Sequence, residues 1–463
     1  MRTRLLNLRV PAGGNERRAA ELLVEEGRIA AVLDPGAEAS AEEVVDLGGA
    51  LVLPGAIDCH VHFDDPGFTE REDFATGTRA AAAGGVTCVC DMPCTSLPPV
   101  TDVETLEAKL AVIRPKALVD YMLWGGVSAN LLDSRGWACR LEELVAAGVA
   151  AIKVYLLSGM ETFRDLDADE MRRVLEATAR LGVPVGVHAE DRALVAELTA
   201  AARARGGDGP RDYAASRPAE AEVRAVETVI GLCRATGARA HIVHLASGRA
   251  LDLVTAAREE RLLLSAETCP HFLAHTAADF ERLGSQLKTA PVVKSAEDRD
   301  RLWRGLADGE LQLVASDHAA GVWPEEKSTG SIWTDYGGVP GVELMLPYLF
   351  SEGVQRGRLT LERLVEVVST APAELLGVGH RKGRLQAGLD ADLAVLDEQA
   401  EWTVRAAGLH NKNRYTPLEG WAFTGRVRET WVRGRRVFAG DMNGGEWFAV
   451  PPAGRWIRRG VEA

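Results

Sequence analysis

Residues 51–65 read LVLPGAIDCHVHFDD: an apolar run meets Pro54-Gly55, and His60 and His62 then follow with one residue between them. Side chains on an extended strand alternate between faces, so positions i and i+2 project together. His60 and His62 therefore point the same way, and two neutral imidazoles at one point can form half of a metal site. A chance pair of histidines at a strand end would give the same letters, because the pattern is short. The rest of the chain decides between the two.

The chain has 463 residues, enough for one large domain with a satellite or for several smaller ones. A hydrophobic content of 46% marks a core-forming protein. Net charge is −14 and no basic cluster stands out, which argues against nucleic acid and anionic membrane as partners. The N-terminus has no apolar h-region and no later run approaches a membrane span, so no membrane partner is expected. Seven cysteines, an odd number, suit a reduced cytoplasm better than a disulfide framework, and the expected location is cytoplasmic. Cys88, Cys90 and Cys94 in VTCVCDMPC lack the second cysteine pair a thiolate zinc site would need. They read as buried strand cysteines.

Outward from the histidines, residues 5–10, 20–24 and 27–32 read as short strands separated by turn residues, as in a small antiparallel sheet. The same texture returns at 383–385, 391–396, 425–427 and 430–434. One small β domain built from both termini is expected. Between these ends, helical periodicity at 72–83, 103–113, 140–147, 168–181, 218–236 and 250–258 alternates with apolar runs. The runs lie at 86–90, 118–123, 150–156, 183–187, 239–244, 261–266 and 311–316. Near-continuous apolar strands between helices predict a parallel sheet. About eight such units over roughly 300 residues fit a (β/α)8 TIM-type barrel. A doubly wound sheet would want a Gly-rich dinucleotide loop after its first strand, and none is visible. The expected organisation is an α/β chain: residues 1–52 and 381–463 in a small β-sandwich domain and tail, 53–380 in the barrel.

In a barrel, chemistry belongs at the C-terminal ends of the strands. His60 and His62 follow the first strand, Lys153 lies inside AIKVYLL, His188 and His244 end their strands, and Asp317 follows 311–316. Ligand-type residues at successive strand ends favour the metal reading. An ammonium inside an apolar strand is costly unless paired or neutralised. Lys153 is either paired with a nearby carboxylate or carbamylated by CO2, which turns the cation into a bridging anion.

These residues, in this order, resemble the amidohydrolase superfamily, and within it the cyclic amidases: allantoinase, hydantoinase/dihydropyrimidinase and dihydroorotase. The resemblance spans nearly the whole chain through PGAIDCHVH, DPGFTEREDFATGTRAAAAGGVT, AIKVYLLSG, VGVHAE, HIVHLAS, AETCPH, ASDH and GLDADLAVLD. It implies two divalent metal ions, expected to be zinc. His60, His62, Lys153 and Asp317 would surround one, and Lys153 as N6-carboxylysine would hold the second with His188 and His244. Asp317 would also be the general base. The implied partner is a small cyclic amide or ureide, and the implied assembly a homo-oligomer, dimer or tetramer.

Which cyclic amide is less firmly marked. Dihydroorotases carry Arg two residues after HxH to grip a carboxylate; Asp64 stands there and would repel one. D-hydantoinases place a Tyr shortly after the lysine, where this chain has Ser158-Gly159, as allantoinases do. TEREDFATGTRAAAAGGVT, MPCTSLPPVTDVETLEAKL and NKNRYTPLEGWAFTGRVRETWVRG are also most similar to allantoinase. Two departures stand against this: allantoinases usually have Asn at the Asp64 position, and their APP-I-R run is here Ala290-Pro291-Val292-Val293-Lys294. Opening of allantoin to allantoate is the first expectation, and hydrolysis of 5-substituted hydantoins the alternative. A dihydroorotase or a non-catalytic adaptor relative follows behind. Asp64, Ser158, Gly338 and Pro340 are the expected substrate contacts, although a plain turn explains residues 337–341 equally well. His271 and His318 read as pocket-lining or structural. His241 should point away from the pocket if His244 ends its strand, although a bend would change that, and His275, His380 and His410 look like surface or loop histidines.

Overall fold

The computed structural model describes residues 2–440 and 445–460; residues 441–444 and 461–463 of the expected C-terminal part lie outside the described residues. β1 (Arg2–Pro11), β2 (Arg17–Glu25), β3 (Arg28–Leu33) and β4 (Glu43–Pro54) build the N-terminal half of a sheet. Leu5 and Leu8 share its buried face despite their odd spacing, because the register shifts between them around Asn7, whose φ is 51°. The expected antiparallel sheet is in fact mixed, since β1 pairs with β4 in parallel. The return from β3 to β4 crosses back over β2 and β1, and Arg4 holds that crossing. Its guanidinium donates to the carbonyls of Ala37 (2.6 Å) and Ala39 (3.1 Å) while its Nε bonds Glu21 (2.6 Å).

Gly55 turns the chain out of β4 into the parallel part; a Cβ there would come within 2.2 Å of the Thr87 side chain. β5 (Ala56–Val61), β6 (Val86–Asp91) and β7 (Asp120–Leu123) form one parallel sheet. β8 (Gly125–Gly126), β9 (Ile152–Tyr155), β10 (Val185–His188), β11 (Ala240–Ile242), β12 (Leu264–Thr268) and β13 (Leu313–Val314) form a second. β7 and β8 are halves of one strand, broken where the Trp124 indole turns in to donate to the carbonyl of Cys59 (2.8 Å). Below the break the C-terminal tail takes the free edge: Tyr121 N–H donates to Arg455 (3.0 Å) and Ile457 N–H to Tyr121 (2.8 Å). At the far end, Val61 makes a parallel bridge with His318, and His62 N–H donates to the His318 carbonyl (2.7 Å). β5, β6, β9 and β10 are buried at every position, as their apolar sequences require.

Helices follow the strands. Ala168–Leu181 starts at Asp167, which exchanges capping hydrogen bonds with Glu170 (2.8 Å each), and stops at Gly182 in the left-handed region (φ 65°). β14 (Leu393–Thr403), β15 (Ala422–Val432), β16 (Arg435–Gly440) and β17 (Glu446–Phe448) then complete the terminal sheet, in the order β17-β16-β15-β14-β4-β1-β2-β3. The β4–β14 seam, with Val52 opposite Val395, joins the two ends of the chain. Its core holds Leu5, Leu22, Val52, Leu393, Val395 and Trp431, each contributing about 1.5–3 kcal/mol for a fully buried side chain. Among the described residues no helix is long and apolar enough to cross a membrane.

Candidate metal centre and active site

Nε2 of His60 and Nε2 of His62 lie 3.2 Å apart, and Asp317 Oδ1 is 3.2 Å from the first and 3.3 Å from the second. His188 Nδ1 faces His244 Nε2 at 3.1 Å. The His60 and His244 ring centroids are 5.4 Å apart, so both pairs belong to one cluster. Lys153, on β9, is fully buried, and its Nζ has no hydrogen-bond partner. The six residues expected to hold metal are thus brought together at the C-terminal ends of the strands.

The nitrogens turned away from the cluster are anchored on three of the four rings. His60 Nδ1 bonds Glu267 (2.5 Å), His62 Nδ1 faces Thr95 Oγ1 (3.3 Å), and His188 Nε2 bonds Glu190 (2.8 Å), which also pairs with Arg217. Such anchors fix the tautomer and leave the inward nitrogen as a lone-pair donor. His244 and Asp317 adopt φ of 41° and 48°, a left-handed backbone that costs roughly 1–3 kcal/mol for a non-glycine residue. That strain bends both side chains off the strand direction and into the cluster.

Electrostatics support the same assignment except at His62, where burial is outweighed by hydrogen bonds to Asp317 and Cys94 that push the imidazole up to about 10. Burial opposes ionisation of Asp317, but His60, His62 and His271 outweigh it and hold its pKa well below the usual carboxylate range. Burial lowers the Lys153 amine to about 8. Burial also lowers His188 and His244, so both imidazoles favour the neutral, ligating form. The donor set fits a pair of divalent cations, with imidazole nitrogens and a carboxylate oxygen facing inward around one partnerless amine. A protonated amine could not ligate there; a carbamylated one could.

A cavity of about 500 Å³ opens over this cluster, lined by His62, His188, His244 and Asp317 and by Arg71, Cys94, Tyr155, Ser158, Arg217, Tyr336, Gly337 and Gly338. Of the four expected substrate contacts it includes Ser158 and Gly338, and not Asp64 or Pro340. Asp64, at φ 55°, is shut behind the wall with both oxygens unpartnered, and burial pushes it up to about 8. The Ser158 hydroxyl is engaged within its own loop, donating to Phe163 O (2.8 Å) and accepting from Met160 N–H (3.1 Å). Gly338 is engaged too: its N–H donates to Lys288 O (2.8 Å), and its carbonyl accepts from Lys327 and from Tyr415 (3.2 Å). Among the described residues neighbouring Gly337 has no hydrogen-bond partner on either backbone group.

Two histidine readings change. His241 is fully buried beneath the cluster, with Nε2 on Glu267 (3.0 Å), because β11 ends at Ile242 and the turn at His244 breaks strict alternation. His275 is buried against Trp421 (5.6 Å) and is no surface residue. His318 is structural: Nδ1 accepts from Gly341 and Val342 N–H, and Nε2 bonds Glu72 (3.2 Å).

The amidohydrolase family profile matches residues 51–437. The chain is 40% identical to an allantoinase of Rubrobacter xylanophilus over 97% of its own length and 96% of that protein's, and 36% identical to one of Deinococcus radiodurans over 95% of each. Among solved structures, L-hydantoinase (dihydropyrimidinase) from Arthrobacter aurescens superposes with a TM-score of 0.92 at 31% identity, over 99% of both chains. Agreement over this much of the length is decisive for affiliation: the chain belongs to the amidohydrolase family.

Proposed function

We propose that the chain is a two-metal hydrolase that opens a cyclic amide, with allantoin as substrate and allantoate as product. The observation that carries the chemistry is the convergence of four imidazoles and Asp317 around the partnerless Lys153 amine at the floor of the cavity. The substrate assignment is supported by near full-length similarity to allantoinases. Two divalent cations, taken to be zinc, would be held by His60, His62 and Asp317 and by His188 and His244, supplying a polarised ring carbonyl and an acidified water. Lys153 would join the two sites as its carbamate: the amine nitrogen bonds to the carbon of CO2, a proton leaves, and the resulting anion removes the burden of a buried unpaired ammonium.

The protein's own part is proton transfer and placement. Asp317, ionised at neutral pH and steadied by His60 and His62, takes the proton of the attacking water and returns it to the departing amide nitrogen. An amide nitrogen leaves poorly until it is protonated, so one carboxylate serving both steps is sufficient. Gly337, with a free N–H and C=O at the cavity face, complements the C=O and N–H of a ring amide.

The eight strand positions from β5 to β13 would close into a (β/α)8 barrel, supported by the Val61–His318 bridge, with residues 1–52 and 381–463 forming the smaller β domain and tail. All seven cysteines are free, which suits a reducing compartment. A hydantoinase reading is favoured by the Arthrobacter structure. Steady-state rates on allantoin, 5-substituted hydantoins and dihydroorotate separate the readings. Allantoin should be fastest and dihydroorotate slowest, since Arg71 and Arg217, which line the cavity, already have carboxylate partners. Faster dihydroorotate than allantoin hydrolysis would overturn the proposal.

A further inference from the structure

Arg71 is built into the cavity wall from several sides. Glu326 accepts from its Nε (2.9 Å) and Nη2 (2.7 Å). The rings of Phe68 and Tyr336 lie 4.7 Å and 4.4 Å from its guanidinium carbon. Its own carbonyl accepts from Asn413 Nδ2 (2.6 Å), which also donates to the carbonyl of Glu70 (3.0 Å), while Asn413 Oδ1 accepts from Trp323 N–H (2.9 Å). Tyr415 stacks on Trp323 (5.2 Å, 25°); its hydroxyl accepts from Gly321 N–H (3.1 Å) and donates to the Gly338 carbonyl (3.2 Å). Residues 411–417, NKNRYTP, thus reach from the C-terminal part of the chain to the loops that frame the cavity. Arg71 lines the cavity, and its side-chain hydrogen bonds run from Nε and Nη2 to Glu326, so among the described residues Nη1, with its two N–H donors, has no partner.

We propose that Arg71 is a specificity-determining residue that recognises a neutral carbonyl on the exocyclic substituent of the substrate through Nη1, with Asn413 as its positioning residue. The inference rests on the reading of the substrate as a ureide. The Arg71 charge is already balanced by Glu326, so the free edge offers donors without a net positive field. An exocyclic carboxylate would meet the Glu326 carboxylate as well, whereas a ureido carbonyl would meet only the donors. The clamp also removes rotamer freedom that an unrestrained arginine would lose on binding.

The test compares allantoin with 5-isobutylhydantoin, which has nearly the same shape but no exocyclic carbonyl. The ratio of their kcat/KM values should fall about 10- to 100-fold in Arg71→Met, the usual effect of losing such a hydrogen bond. Arg71→Lys should lower the ratio too, because it keeps the charge beside Glu326 and loses the second donor edge. Asn413→Asp, which cannot donate to the two carbonyls, should raise KM for allantoin and leave isobutylhydantoin kinetics within twofold. An equal fall on both substrates, or an unchanged ratio in Arg71→Met and Arg71→Lys, overturns the inference while leaving the proposed function intact. A wild-type preference for isobutylhydantoin with a ratio that still falls in the variants would instead refute allantoin as the substrate and uphold Arg71.

Discussion

Lys153 carries its amine into the centre of the parallel sheet without a partner, and burial lowers its pKa to about 8 from the ordinary 10.5. Above about 8 the amine is neutral and can attack CO2; below it the proton blocks attack. Zinc loading of metal-free protein at fixed dissolved CO2 should therefore quicken as pH rises to about 8 and then level off, and a rate flat across that range contradicts the carbamate. Glu267 makes a second prediction, since its carboxylate bonds both His60 and His241. Glu267→Gln should weaken zinc binding about 10- to 100-fold, read by competition with a chelating dye. Asp64, pushed to about 8 by burial, is mostly protonated at neutral pH and so close to an asparagine in shape and charge. Asp64→Asn should leave allantoin turnover within a fewfold of the parent, and a large loss would mean that the charged carboxylate matters. The inward histidines, Lys153 and Asp317 were legible in the sequence because each closes or interrupts an apolar strand. Glu267 was not, because a single carboxylate at a strand end looks ordinary and its partner His60 is 207 residues away.

At the level of elements, the regular strands and the helices Val103–Ile113 and Ala168–Leu181 follow directly from apolar periodicity and capping residues. Helix Arg192–Ala204 escaped because its alanines blur the polar and apolar faces. The region after β13 escaped because π-helical turns at Leu349–Gln355 and Glu366–Thr370 shift the 3.6-residue stripe. The break between β7 and β8 was invisible as well, because it depends on the distant tail. Tail residues 455–457 satisfy Tyr121, and Arg459 donates to the carbonyls of Ala150 (3.0 Å) and Leu375 (2.9 Å). Truncation before Arg455 leaves these buried groups unpaired, at about 1–3 kcal/mol each. Chemical denaturation should show a loss of at least about 2 kcal/mol; an unchanged midpoint would mean that the tail is dispensable.

Over the whole molecule, two sequence textures announced two structural parts, but not the buried cage that joins them. Lys382 Nζ bonds Asp120 (2.8 Å) at the start of β7 and Asp392 (2.5 Å) and Asp390 (3.1 Å) before β14. Burial opposes the ammonium, yet Asp392 and Asp390 outweigh it and raise its pKa above 10.5. The cage's contribution is therefore present below about 10.5 and lost as pH rises through the higher folded value. Lys382→Met leaves the buried Asp392 carboxylate without a cationic partner, while Arg433 and Arg381 still pair with Asp120 and Asp390, and should cost about 3–5 kcal/mol in a denaturant titration. The active site rests on this assembly, since β7 and the seam support the strands that carry its ligands. The most direct test is zinc stoichiometry, measured by mass spectrometry alongside allantoin hydrolysis, in wild type and Lys153→Ala prepared with bicarbonate. The account predicts about two zinc ions per wild-type chain, with the second ion and most activity lost in Lys153→Ala. Wild-type protein that hydrolyses allantoin without bound divalent metal, or a fully active Lys153→Ala, would contradict it.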